Sequence, residues 1–163
     1  MPKLNRKAFM TFLDADFKNV SEMSHNWFLL GKDLEELSVE MNPDTETTKN
    51  ILGETSVKDN GYEPSMSADP YYANTSDSIY PKIKSIAMDR LVGDECKTSI
   101  LEVIIADTDD EQHEAWIENV IIKPQSYGGD TGGFAIPFDV NFDGGRKKGK
   151  VTFSGSVPTF VAE

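Results

Sequence analysis

Asp139-Val140-Asn141-Phe142-Asp143-Gly144 is the stretch whose residue types and spacing come nearest to chemistry. Oxygen-bearing side chains at every second position, then glycine, form the first half of a calcium loop. Such a loop needs a bidentate glutamate at its twelfth position, and Lys150 stands there. Phe138, Val140 and Phe142 alternate with the polar residues, which places Asp139, Asn141 and Asp143 on the wet face of a strand. Ser126–Gly133 is glycine-rich, but it has no Gly-Lys-Ser/Thr for a phosphate and opens no helix. Asp107, Asp109, Asp110 and Glu111 read as a solvated acidic turn. His25 and His113 are the only histidines and lack a cysteine or histidine at metal spacing. His113 and Glu114 could share a proton, yet no nucleophile motif accompanies them. Cys96, the one cysteine, sits beside Lys97 and reads as a small apolar strand residue. No catalytic constellation emerges, so the expectation is a non-enzyme without metal or cofactor.

Composition narrows the field further. With 28 acidic against 16 basic residues, the net charge is −12. Nucleic-acid binding draws its affinity from Lys and Arg on phosphates, so a site that grips DNA or RNA is not expected. A single cysteine permits no intrachain disulfide and suits a reducing compartment. Residues 8–13 are too short an apolar stretch for a signal-peptide core, and no run approaches the ~18 apolar residues of a membrane span. A chain of 163 residues suits one domain over 1–163, with its core at about 9–154 and a tail at 155–163.

The elements that must position any site read mostly as strands. Residues 9–13 and 26–30 form short strands around a polar connection, Asp14–Ser24. Leu34–Met41 alternates, with Leu37, Val39 and Met41 on one face and Glu36, Ser38 and Glu40 on the other. Glu54–Tyr62 is its partner across a polar insert, Asn42–Asn50, longer than a tight turn requires. Tyr62–Thr75 reads as an ordered irregular loop. Ser78–Leu91 carries an apolar stripe of Ile79, Ile83, Ile86 and Ala87, which predicts a helix. Asp77 or Ser78 would cap its start, with Pro81 in the first turn and Gly93 beyond the end. Lys97–Asp107 is nearly continuous in apolar residues and reads as a strand covered on both faces. Glu114–Lys123 is predicted as a strand, Pro124–Gly133 as a loop, and Phe134–Phe142 as an alternating strand. Asp143-Gly144-Gly145 then gives a strong turn signal before a last strand, Val151–Ser154. Arg146, Lys147, Lys148 and Lys150 form a basic cluster in or after that turn, either solvated or docking against an acidic neighbour.

As a set, LLGKDLEELSVEMNPDTETTKNILGETSV, GYEPSMSADPYYA, IYPKIKSIAMDRL and IIKPQSYGGDTGG with the following IPFDV resemble the major tail tube proteins of long-tailed phages, particularly of Gram-positive hosts. The likeness covers roughly residues 10–154. It implies a mainly β, sandwich-like core with one flanking helix and an extended hairpin or arm. It also implies homo-hexameric rings stacked into a hollow tube that conducts DNA into the host. The tube would belong to the virion tail and assemble in the bacterial cytoplasm. Tape-measure, tail terminator and distal tail proteins would be its other partners, with no membrane anchor. DNA would pass without specific binding, and acidic residues facing the bore would keep it from sticking. If the 34–62 hairpin lines the lumen, Glu36, Ser38 and Glu40 face the DNA. The arm, through Pro43, Asp44, Glu46, Lys49, Asn50 and Leu52, would contact a neighbouring subunit or ring. A tube of a phage-derived contractile injection or bacteriocin particle is the alternative within this class. A β-sandwich ligand-binding module is another, in which Tyr62, Tyr71, Tyr72 and Tyr80 would form the aromatic platform.

Overall fold

Ile100-Leu101 and Val103-Ile104 put apolar side chains at successive positions, and a strand can bury both of its faces only inside a two-sided layer. In the computed structural model, which describes residues 3–22 and 24–163, that strand lies inside the main sheet. The strands are β1 (Phe9–Asp14), β2 (Trp27–Leu29), β3 (Pro43–Lys49), β4 (Thr55–Tyr62), β5 (Ser65–Ala68), β6 (Lys97–Ile104), β7 (His113–Pro124), β8 (Gly128–Asp130), β9 (Gly133–Ala135), β10 (Phe138–Ser154) and β11 (Val157–Ala162). One helix, α1 (Tyr80–Asp89), falls between β5 and β6. Seven strands form one antiparallel sheet in the order β11-β10-β7-β6-β1-β2, with β5 also paired to β10. β3–β4 and β8–β9 are separate hairpins. The chain is thus mainly β with one helix, in curled antiparallel sheets consistent with a sandwich-like fold.

Adjacent residues of one strand serve different cores. Leu13 and Ile100 face a layer completed by Ile79 and Ile83 at the helix, by Leu30 and Leu37, and by Phe138 and Val140. Their neighbours Phe12 and Leu101 face the other way, onto Val103, Ala115 and Val151 with Trp27, Phe153 and Phe160 against them. The sheet curls around this second cluster until its end strands approach. Trp27 of β2 and Val157–Ala162 of β11, at opposite ends of the strand order, line one groove.

Several expectations need correction. Leu34–Met41 is not a strand. Leu37 is buried and Val39 half-buried while Glu36, Ser38 and Glu40 are exposed, so the alternation is real. It comes from extended chain lying on the core, and only Glu40 forms an isolated bridge, with Ser65. Met41 breaks the pattern at 53% exposed, and left-handed Asp33 and Asn42 bound the segment. The strand that pairs with β4 is the supposed insert, as β3, with Thr47 opposite Val57. Neither of its faces is buried, so it carries no periodicity, and its threonines were the only signal. Part of the 62–75 loop is β5, and part of the 124–133 loop enters the β8–β9 hairpin. The connection 14–24 is described except for Met23, which lies outside the described residues.

Asp143-Gly144-Gly145 does not turn the chain. Gly144 and Gly145, both left-handed, sit where the β10–β7 register slips twice, so β10 bends and continues to Ser154. The stretch read as a tail supplies β11 at the sheet edge. Helix α1 starts after Ile79, whose side chain has no oxygen to cap it, and Asp77 accepts the Tyr71 hydroxyl at 3.1 Å. It ends on left-handed Arg90 rather than at Gly93.

β11 crosses β10 where Gly149 has no side chain. A Cβ there would press on the Val161 carbonyl oxygen and lie 2.7 Å from the Phe160 ring. Gly149→Ala is therefore expected to lower stability by about 1–3 kcal/mol, as overpacking does. A urea unfolding series would detect it, and an unchanged midpoint would mean that β11 yields freely.

Candidate functional site

The β3–β4 hairpin is built locally and stands alone. Asn50 shapes its turn, its side-chain oxygen accepting the N–H of Leu52 at 2.9 Å and of Glu54 at 3.0 Å. Gly53 takes the left-handed conformation that closes the turn. Thr48 and Ser56 hydroxyls meet across the strands at 3.1 Å. Pro43, Asp44, Glu46 and Lys49 on β3, with Asn50 and Leu52 in the turn, are all exposed. Ile51 and Leu52 at the tip are large apolar side chains standing in water. Among the described residues, β3 and β4 pack on each other and only marginally on any other element. A lone two-stranded hairpin is at best marginally stable in water. The expected arm is thus a strand-paired ribbon rather than a loop, with large apolar side chains at its tip.

Glu36, Ser38 and Glu40 lie outside this hairpin, exposed on the extended segment leading into it. The arm and this acidic face are therefore neighbouring features and do not form one strand pair.

The basic cluster is not in a turn. The β10 bulge aims Arg146 across the sheet, where its Nη1 donates to Glu102 Oε1 at 2.8 Å and Glu118 Oε1 at 3.0 Å. The Gly144 N–H donates to the other oxygen of Glu118 at 3.1 Å. Glu102 and Glu118 are only 6% and 7% exposed. Burial works against the Arg146 charge, but the two carboxylates outweigh it and raise its pKa. Lys148 is 3.7 Å from Glu114, and both cations lie over Trp116. Lys147 opposes Ile117, so it points from the other sheet face. Two of the four expected patch residues are thus already paired within their own chain.

The most elaborate polar site is one the sequence did not single out. Asp14 ends β1 fully buried. Its carboxylate accepts the N–H groups of Asp16 at 2.9 Å, Lys18 at 3.2 Å and Asn26 at 3.1 Å. His25 Nδ1 meets it at 2.6 Å, while His25 Nε2 faces the Glu22 carbonyl at 2.9 Å. Both ring nitrogens thus face oxygen atoms, one a carboxylate and one a carbonyl. The imidazole also stacks on Trp27, centroids 4.7 Å apart. Burial would raise the Asp14 pKa, but the bonds from His25, Asn26 and Asp16 prevail and lower it. Thr98 and Ser99 hydroxyls donate to the Asp14 and Lys18 carbonyls, and Asn119 accepts the Val20 N–H, so the loop is stapled to β6 and β7. A signal existed in the sequence: a carboxylate at a strand end followed eleven residues later by histidine.

The remaining candidates are scattered. Asp139 accepts the Ser67 hydroxyl at 2.6 Å, and Asp143 lies 3.8 Å from Lys97. Among the described residues, no group of three or more His, Cys, Asp or Glu could hold a metal ion. Cys96 is buried beside the Lys123 amine. Tyr71 is buried while Tyr62 is exposed at the hairpin root, so the four tyrosines form no shared platform. No helix among the described residues is long and apolar enough to cross a membrane. Comparison with known proteins found no matching family model and no curated protein of similar sequence.

Two outcomes follow from these ion pairs. Arg146→Met leaves two carboxylates buried without their cation and is expected to cost about 2–3 kcal/mol. This is below the loss for a fully buried pair, since the Arg146 side chain is 43% exposed. Adding Glu102→Gln and Glu118→Gln should recover part of the loss in chemical denaturation.

Asp14 should also set an acid limit. Its folded pKa lies below the ordinary 3.8, so its stabilisation is complete above that value and vanishes as pH falls through the lower one. Asp14→Asn is expected to cost about 1.5–3 kcal/mol at neutral pH, the range for hydrogen bonds to a charged group. Unfolding curves of mutant and wild type should converge below pH 3.8; a constant gap would mean that the carboxylate does not titrate with unfolding.

Proposed function

We propose that this protein is a self-assembling structural subunit of a phage tail tube, stacked as homo-hexameric rings that conduct DNA. The observation that carries the assembly part is the β3–β4 hairpin, a fully exposed ribbon with an apolar tip. A chain that stabilised itself alone would have little use for such a ribbon. The open ends of the main sheet, β2 and β11, add strand edges that can pair with another chain. The tube part rests on the sequence resemblance, with which a mainly β fold of one helix is compatible. The net charge of −12 suits a channel wall that must not retain DNA. On this proposal Glu36, Ser38 and Glu40 face the bore, the hairpin contacts a neighbouring subunit or ring, and tape-measure, terminator and distal tail proteins meet the finished tube.

The test is to replace residues 43–62 by a short Gly-Ser turn and follow both variants by negative-stain microscopy over a concentration series. Wild-type protein is expected to form rings or tubes at high concentration. The shortened chain should keep its melting temperature within a few degrees and form none. Wild-type protein that stays monomeric at every concentration and salt condition would overturn the proposal. Normal tubes from the shortened chain would remove the hairpin from assembly.

A further inference from the structure

The groove between β2 and β11 has the complementary character to the hairpin tip. It encloses about 490 Å³ and is lined by Trp27, Ile117, Phe160 and the edge residues Val157 and Val161, both 61% exposed. Its polar rim holds Glu22 and Lys147, one anion and one cation. His25 also borders it but is engaged with Asp14. The tip repeats this pattern with the signs available for pairing: Ile51 and Leu52 are flanked by Lys49 on one side and Glu54 on the other.

We propose that the Ile51–Leu52 tip seats in the β2–β11 groove of a second copy of this chain, with Lys49 meeting Glu22 and Glu54 meeting Lys147. This rests on the assembly proposal above and names the receiving surface. The occupant must come from another copy, because the hairpin is rooted on the opposite side of the sheet. Met41 and Tyr62 at its base line a different hollow with Phe9, Phe142 and Arg146. Arg146 lies over Trp116, whereas the groove is floored by Ile117, the next residue along β7, which faces the other way. β3, seven residues long, carries the tip about 23 Å further out. On the assembly proposal above, the tip of each copy enters the groove of the next and the contact propagates head-to-tail into a ring or filament, whereas reciprocal exchange of tips between two copies would close a two-fold dimer. Desolvating an apolar tip in an apolar groove supplies attraction, and the two opposite-charge pairs fix orientation.

The experiment uses full-length chains in two parts. Leu52→Cys and Val161→Cys are made separately, both at exposed positions, with circular dichroism confirming the fold. Mixed and mildly oxidised, they should yield a disulfide-linked dimer well above what either gives alone. A mixture of Leu52→Cys with Lys84→Cys, on the exposed face of α1, should give none. In the second part, Lys49→Glu should raise the concentration needed for assembly at least threefold. Glu22→Lys should do the same, and the double variant should return it toward wild type. Wild-type tubes without the 52–161 crosslink, or with no rescue in the double variant, overturn the groove pairing and leave assembly standing. A crosslink without rings or tubes at any concentration keeps the pairing and removes the tube. Neither crosslink nor assembly overturns both.

Discussion

The Asp14 carboxylate organises one whole end of the molecule. A charge buried this completely is tolerable only when every acceptor direction is used, and Asp14 receives three backbone N–H groups and an imidazole. Those donors come from both sides of the loop, so satisfying the charge folds residues 14–26 back on themselves. The bond to the Asn26 N–H brings β2 alongside β1, and His25 stacks on Trp27 at the start of β2. Through this chain of contacts one carboxylate sets the position of a sheet edge, and with it one wall of the groove that faces β11.

A second buried charge system shapes the sheet itself. β10 runs for seventeen residues and changes edge partner midway, from β5 to β11. The change falls at the double bulge around Gly144 and Gly145, where extra residues increase twist and bend the strand. The bulge also carries Arg146 to Glu102 and Glu118, so the bend and the pairing of two buried carboxylates reinforce each other. Without the bend β11 would not curl toward β2, and the second apolar cluster around Phe12 and Leu101 would lie open to water.

The hairpin follows opposite rules. Its turn chemistry and strand pairing are local, and among the described residues no other element packs on it more than marginally. The sheet is thus stabilised by burial on two faces, while the ribbon relies on backbone pairing and its turn chemistry. A division of this kind, a self-sufficient core beside an unsupported ribbon, is physically reasonable where folding precedes association.

By itself the sequence determined the class of fold and most elements with a buried face. β1, β2, α1, β6 and β7 are legible because burial imposes a period, whether alternation, a helical stripe or an unbroken apolar run, whereas β4 was read as a strand although neither of its faces is buried. It also determined the net charge and the lack of a complete calcium loop, since these depend on residue type alone. The tertiary structure decided what periodicity cannot encode. β3 is exposed on both faces and so left no pattern, while the alternation of Leu34–Met41 records contact with a core and not strand pairing. Gly144 and Gly145 supply left-handed backbone equally to a turn or a bulge, and only the long pairing of β10 with β7 selects the bulge. Arg146 looked like a free surface cation until two strands brought Glu102 and Glu118 beneath it. Asp14 looked like a loop residue until the fold buried it. Charge and polarity are local properties, but their partners lie up to 99 residues away along the chain, and only three-dimensional proximity assigns them.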